Sequence, residues 1–370
     1  MNYYLFTITI SFLILLSITL VKGEENINNN INNSIQQNSK ITSTTNNEIL
    51  NYKFLDPVIR NDIGSDIGAF FYPWYGKYRH WTDGGHNPPI TWASNYLPNL
   101  FNSEYANLIS DKLYSSNDTN IIKKQIQLMN DIGIEFGIGS WWGQNSYEDK
   151  VFNKIINDVH PTIEGNEYNK FRWTILYEDE GFGDPTITEI VNDLNFINQN
   201  YASSPYYLYV NGKPVIFVYN AAHTGSNPLG DLERWKQAKA QIPFYVVFKV
   251  DPLSLGANPK DMDSWYQYAP ASKYFEKQKT FSAFVSPGFW KYHESIRLPT
   301  ASLTEFENAV SKLKQAQVRW KLVETWNEWG EGTGIEPAQQ IIHDDINGFK
   351  LIQNQPSSQQ YTEIFKKYFK

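Results

Sequence analysis

The sequence predicts an α/β chain folded as a single (β/α)8 TIM barrel, and three observations carry that expectation. Apolar runs rich in β-branched and aromatic residues alternate with helix-like stretches through most of the 370 residues. Several runs are nearly continuous, as parallel strands covered on both faces require. Neither GxGxxG nor GxxxxGK followed by Ser or Thr stands after any run, so nothing marks a doubly wound nucleotide-binding sheet.

The N-terminus does not belong to this pattern. Residues 5–21, LFTITISFLILLSITLV, are apolar with small polar interruptions and end at Val21-Lys22-Gly23. This reads as a secretory signal peptide over residues 1–23, and an uncleaved type II anchor is the alternative. No basic residue precedes the run to hold the N-terminus inside. Residues 24–52, rich in Asn, Ser, Thr, Ile and Gln, bury too little apolar surface to offset their ordering entropy and read as a linker. The domain is expected over 53–370. If the chain is exported, to the medium or to a secretory lumen such as the Golgi, Asn32-Asn33-Ser34 and Asn117-Asp118-Thr119 are glycosylation sequons.

Within the domain the strands are expected at Ile67–Tyr72, Ile134–Ser140, Arg172–Tyr177, Pro214–Tyr219, Phe244–Val250, Thr280–Val285 and Val318–Thr325. A weak eighth near Ser264–Ala269 would close the barrel. Helices are expected at Asp118–Asp131, with Asp as its cap and Gly133 past its end, and at Thr186–Gln199, Leu229–Ala240 and Leu303–Gln317.

Composition narrows the ligand. The net charge is −7 with no basic run, which leaves a nucleic-acid partner nothing to bind. There is no Cys, and the six His form no HxH or HxxxH pair, so disulfides and Cys- or His-based metal sites are not expected. Aromatic residues reach 16%, with 12 Trp, 24 Tyr and 22 Phe. Barrel interiors favour Val, Ile and Leu, so many of these rings are expected in loops or a cleft, where their faces suit the C–H faces of sugars.

In a barrel the chemistry gathers where strands end. Those positions carry Phe71-Tyr72-Pro73-Trp74-Tyr75, Ser140-Trp141-Trp142-Gly143, Tyr177-Glu178-Asp179-Glu180, Tyr219-Asn220, Ser286-Pro287-Gly288-Phe289 and Thr325-Trp326-Asn327-Glu328-Trp329-Gly330-Glu331. Glu328 and Glu331 fall three residues apart at a strand end, with Gly330 and Gly332 to bend the chain. Glycosidic cleavage needs two carboxyl groups, one protonated and one ionised, and this pair could face one pocket. A large clan of barrel glycosidases takes Asn-Glu from its fourth strand; here the fourth ends in Tyr219-Asn220 and Asn327-Glu328 follows the last, so that clan does not fit.

These strand-end motifs, with Tyr114-Ser115-Ser116-Asn117-Asp118 and the run from Asn327 to Glu336, resemble glycoside hydrolase family 99 in order over roughly residues 66–340. That is the endo-α-1,2-mannosidase and endo-α-1,2-mannanase family. The resemblance implies a single catalytic domain and a retaining mechanism without metal or cofactor. Glu328 would take the proton from the sugar's own 2-hydroxyl, which attacks C1 to give a 1,2-anhydro sugar. Glu331 would protonate the departing oxygen and then activate water. Glu178 or Glu180 would match a substrate-binding Glu, and Tyr72, Trp74, Trp141, Trp142, Tyr219, Asn327 and Trp329 would shape the site around an oligosaccharide or polysaccharide. No nucleic acid is implied, and a membrane only if the N-terminal run remains as an anchor. The chain departs from the mannosidase pattern at Gly330, where His is usual, and at Trp290-Lys291, where an acidic residue is usual. Two alternatives keep the barrel: a non-catalytic carbohydrate-binding protein, and the family 99-like proteins of polysaccharide synthesis, which share the Asn-Glu-Trp-x-Glu-Gly ending.

Overall fold

The computed structural model describes residues 66–76, 80, 96–98, 114–219, 228–249, 263–268, 271–275, 281–289, 297–299, 301–340 and 358–370, all within the compact unit Pro57–Lys370. The expected leader at 1–23, the linker at 24–52, the first sequon, Asn220 and Trp290-Lys291 lie outside the described residues.

Eight strands run parallel: β1 Asp66–Phe71, β2 Phe136–Trp141, β3 Arg172–Tyr177, β4 Lys213–Val218, β5 Tyr245–Lys249, β6 Ser264–Tyr266, β7 Ser282–Val285 and β8 Trp320–Val323. Hydrogen bonding follows the order β6-β5-β4-β3-β2-β1-β8-β7. The register is set by pairs such as Gly68 with Phe136 and Asp66 with Trp320. β6 and β7, the first and last of these parallel strands in the hydrogen-bonding order, lie against each other without a ladder, and the short antiparallel strand Tyr274–Phe275 pairs on the outer edge of β7, so the barrel is nearly closed. The weak strand expected near Ser264 is therefore real, but short.

Helices fill the connections: α1 Thr119–Asp131, α2 Tyr147–Asn153, α3 Ile187–Ile197, α4 Pro228–Gln241 and α5 Leu303–Gln315, with α6 Ser358–Phe369 at the C-terminal end. The expected cap of α1 forms, and α3 and α5 are capped as well. The Asp118 carboxylate accepts from the Asn120 and Ile121 amides at 2.8 and 3.1 Å, and Gly133 turns the chain at φ 94°. Thr186 with Glu189, and Ser302 with Glu305, close capping boxes. The sequence reading missed α2, which Ser146 caps through the Asp149 amide and which runs on through π and 3-10 turns to Thr162. It also missed α6, whose Tyr361 and Phe365 pack on Phe306 of α5.

The barrel interior corrects one expectation. Beside the aliphatic Ile138, Leu176, Val215, Val247 and Leu322 it holds Phe70, Phe136, Phe217, Tyr266 and Trp320, in largely edge-to-face contacts such as Phe217 on Trp320 at 5.2 Å. Inward-facing Gly68 makes this possible, since a Cβ there would fall on the Phe136 ring. Gly137 does the same for Trp173 and Gly139 for Phe152, both in the separate core between sheet and helices. The indole of Trp320 donates to Ser264 Oγ at 2.9 Å, tying β8 to β6. Much of the aromatic excess is thus structural. Among the described residues no helix is long and apolar enough to cross a membrane.

Candidate active site at the barrel mouth

Side chains alternate across each strand, so the inward set of the barrel continues at its C-terminal rim. On β8, Trp320 and Leu322 face the interior and Glu324 continues that face, fully buried. The chain then turns back through Thr325 and Asn327 into a single 3-10 turn, Trp329–Glu331. Glu328 precedes that turn and caps it, its Oε1 accepting from the Gly330 amide at 2.8 Å. Gly332 closes the turn in the left-handed region at φ 65°, which a side chain would strain.

This turn is fastened to β1. The Tyr72 amide donates to Asn327 Oδ1 at 2.8 Å, and Asn327 Nδ2 donates back to the Tyr72 carbonyl at 3.0 Å. The Tyr75 hydroxyl donates to the Asn327 carbonyl and receives the Trp329 amide. Beneath it, buried Glu336 accepts from Tyr114 at 2.9 Å, Gln125 at 2.8 Å and the Trp329 indole at 3.1 Å. Burial raises the Glu336 carboxyl to about 7.

Tyr72 stands at the centre of the mouth. Burial first, then the charges of Glu178, Glu331 and Glu328, hold its phenol well above the usual tyrosine range, which brings all three carboxylates around one ring. Its hydroxyl pairs with that of Tyr268 at 2.9 Å. Glu178 is buried at the end of β3 and accepts from Ser140 Oγ at 2.8 Å, while Ser140 receives the Trp142 indole at 3.0 Å. Desolvation pushes Glu178 up to about 8, against the pull of the Ser140 bond and of Lys249. The Lys249 ammonium lies 3.9 Å from the centre of the Tyr219 ring. Carboxyl groups, phenols and the Lys249 ammonium therefore share the pocket, a set able to exchange protons with sugar hydroxyls.

The expected site residues divide cleanly. Tyr72, Trp142, Glu178, Tyr219, Glu328 and Glu331 meet at the mouth. Asn327 and Trp329 build the turn from behind, and Trp74 lies tilted against Tyr72 at 4.5 Å and stacks on His80 at 4.6 Å. Two residues are corrected. Trp141 points outward from the barrel, fully buried, with its indole on Asp149 at 2.7 Å. Glu180 also turns away, bonded to the Trp235 indole at 2.7 Å and paired with Arg234. Asp184 and Asp231 approach Glu180 closely enough to suggest a cation, but the Arg234 guanidinium pairs with all three.

No protein-family model matches the chain. The mouse "Glycoprotein endo-alpha-1,2-mannosidase-like protein" is 23% identical over 343 residues, covering 76% of this chain and 72% of that one. The rat "Glycoprotein endo-alpha-1,2-mannosidase" is 22% identical over 328 residues, covering 74% and 68%. In fold, the chain matches the GH99 endo-alpha-mannosidase of Bacteroides thetaiotaomicron with a TM-score of 0.59 at 17% identity, over 82% of this chain and 96% of that one. The chain is thus similar over most of its length to family 99 endo-alpha-mannosidases and shares their barrel fold.

Sequence reasoning missed four mouth residues, and a signal existed for three. Period-two alternation from Trp320 and Leu322 leads to Glu324, and from Ser264 and Tyr266 to Tyr268. Val247 likewise leads to Lys249, which falls inside the expected strand Phe244–Val250. Ser140 was seen only as part of a motif; its hydroxyl matters because of where Glu178 falls.

Proposed function

We propose that this protein is a retaining glycoside hydrolase that cleaves α-1,2-linked mannose within glycans, using Glu328 and Glu331. The observation that carries the reading is the turn after β8, which sets both glutamates in a mouth shared with Tyr72 and protonated Glu178. The relatives named endo-alpha-1,2-mannosidase support the coarser statement, a glycosidase acting on mannose-containing glycans.

In the proposed reaction Glu328 accepts the proton of the 2-hydroxyl as O2 attacks C1. The C1–O bond to the leaving sugar breaks, and Glu331 donates a proton to that oxygen. Water, deprotonated by Glu331, then opens the 1,2-anhydro sugar at C1, and Glu328 returns its proton to O2. Two inversions at C1 give net retention. Glu178, neutral below about pH 8, would offer its O–H to a substrate hydroxyl rather than compete as a third base.

The test is hydrolysis of α-linked manno- and gluco-oligosaccharides with chelator present, following the released anomer by NMR. Retained α-mannose product, lost in Glu331→Gln, is expected. Binding without hydrolysis across the panel would overturn the reading in favour of a carbohydrate-binding barrel. The apolar run at 5–21 and the polar segment after it support action in a secretory lumen or outside the cell. N-terminal sequencing of the protein recovered from a eukaryotic secretory host checks this; an intact residue 1 in soluble cytosolic protein would count against it.

A further inference from the structure

Phe182 is the one large hydrophobic side chain among the described residues that is exposed, at 68%. Its backbone is not loose. It sits in a single turn, Glu180–Gly183, held from below by Glu180 on the Trp235 indole and on Arg234, and closed by Asp184 at φ 45°. The ring lies 4.8 Å from that of Trp142, and 6.5 Å from that of Tyr219 at an interplanar angle of 15°. Tyr219 in turn is an electrostatic neighbour of Glu178 and Glu331. Three rings thus line the rim from the mouth outward, and the outermost one offers a bare face.

On its other side Phe182 borders a groove of about 480 Å³, within the usual range for small-ligand sites. Gln144, Asp179, Glu189, Asn192 and Asp193 line it, and among the described residues no Lys or Arg does. Burial raises the carboxyls of both Asp179 and Asp193 above the ordinary aspartate range. Asp193 is oriented by Gln144 at 2.9 Å and by the Tyr177 hydroxyl at 2.8 Å. An aromatic face beside carboxylates and amides, without a cation, suits a neutral polyhydroxylated ring and repels phosphate or uronate. Anionic ligands are therefore excluded by charge and aliphatic ones by the polar wall.

We propose that Phe182 and this groove form an outer sugar subsite, where a hexose of the same glycan stacks beyond the linkage being cleaved. This rests on the glycosidase reading above and deepens it, because an outer subsite commits the enzyme to extended chains. Gly143 belongs to the design. It bridges the Trp142 rim to the groove at φ 84°, where a Cβ would also press on Asp179 at 3.2 Å.

The experiment compares kcat/KM on α-1,2-linked manno-oligosaccharides of increasing length for the wild-type protein, Phe182→Ala and Phe182→Trp. The expected result is a ratio of long- to short-substrate kcat/KM that falls roughly tenfold in Phe182→Ala, mainly through KM, and recovers in Phe182→Trp. A ratio unchanged in Phe182→Ala overturns the subsite while leaving the glycosidase reading intact. Should the wild type cleave neither length, the glycosidase reading fails, and the same oligosaccharides are followed for binding by saturation-transfer NMR. Weaker binding by Phe182→Ala than by wild type then still supports the subsite; equal binding, or none, overturns it.

Discussion

Asn327 and Tyr72 hold each other by two reciprocal bonds across 255 positions of sequence, the side-chain amide of one pairing with both backbone polar groups of the other. The pairing continues, in side-chain form, the ladder between β1 and β8 beyond the point where the strands end. It fixes the residue immediately before Glu328 against the residue at the centre of the mouth.

Asn327→Asp keeps the shape but replaces the donor facing the Tyr72 carbonyl with an acceptor. The expected loss is roughly 2–4 kcal/mol, since buried polar groups lose partners. Thermal unfolding with parallel kinetics measures it. A variant with wild-type midpoint and wild-type turnover would show that the clamp does not position Glu328.

Glu328→Gln separates chemistry from structure. The amide oxygen still accepts from the Gly330 amide, so the turn should stay and the unfolding midpoint should remain near wild type. Turnover should fall roughly 10²–10⁴-fold, the range for loss of a positioned proton acceptor. Glu328→Ala removes the cap as well and should lower both. Equal midpoints for the two variants would argue that the cap contributes nothing.

Glu178 makes stability depend on pH. Its folded carboxyl titrates at about 8, against an ordinary value of 4.5. Between these values the folded state holds a proton that the unfolded state has released, so this residue's contribution falls as pH rises and levels off above about 8. The advantage of Glu178→Gln over wild type in urea unfolding should therefore grow from pH 5 to pH 8. A difference independent of pH would mean that Glu178 is ionised in the fold.

Gly68→Ala tests the aromatic interior. The added methyl falls on the Phe136 ring, which is hemmed in by Phe217 and Trp320. Overpacking should cost about 1–3 kcal/mol. Calorimetry showing no loss would reveal slack that this packing does not suggest.

Local information reached far in this protein because parallel strands and capped helices write themselves into nearby residues. Asp118 announced a helix start through bonds made within three positions, and Thr186 and Ser302 cap their helices over the same short span. The turn that follows Asn327 is equally local, since Glu328 caps Gly330 and Gly332 closes it.

What only the tertiary structure decided was direction. Trp141 and Trp142 are chain neighbours, as Glu178 and Glu180 are near neighbours, and composition cannot say which of each faces the mouth. The β2–β3 register sends Ser140 and Glu178 inward and Trp141 outward, and the pull of Arg234 and Trp235 takes Glu180 away from the rim. The aromatic filling of the barrel was equally out of reach, because the room for Phe136 comes from Gly68 on a neighbouring strand. The sequence by itself determined the barrel, the Asp118 cap and the closeness of Glu328 and Glu331 at the end of the last strand. Closure of the barrel brought Tyr72, Glu178, Lys249 and Tyr268 to that pair, since contacts between distant strands exist only once the whole register is set.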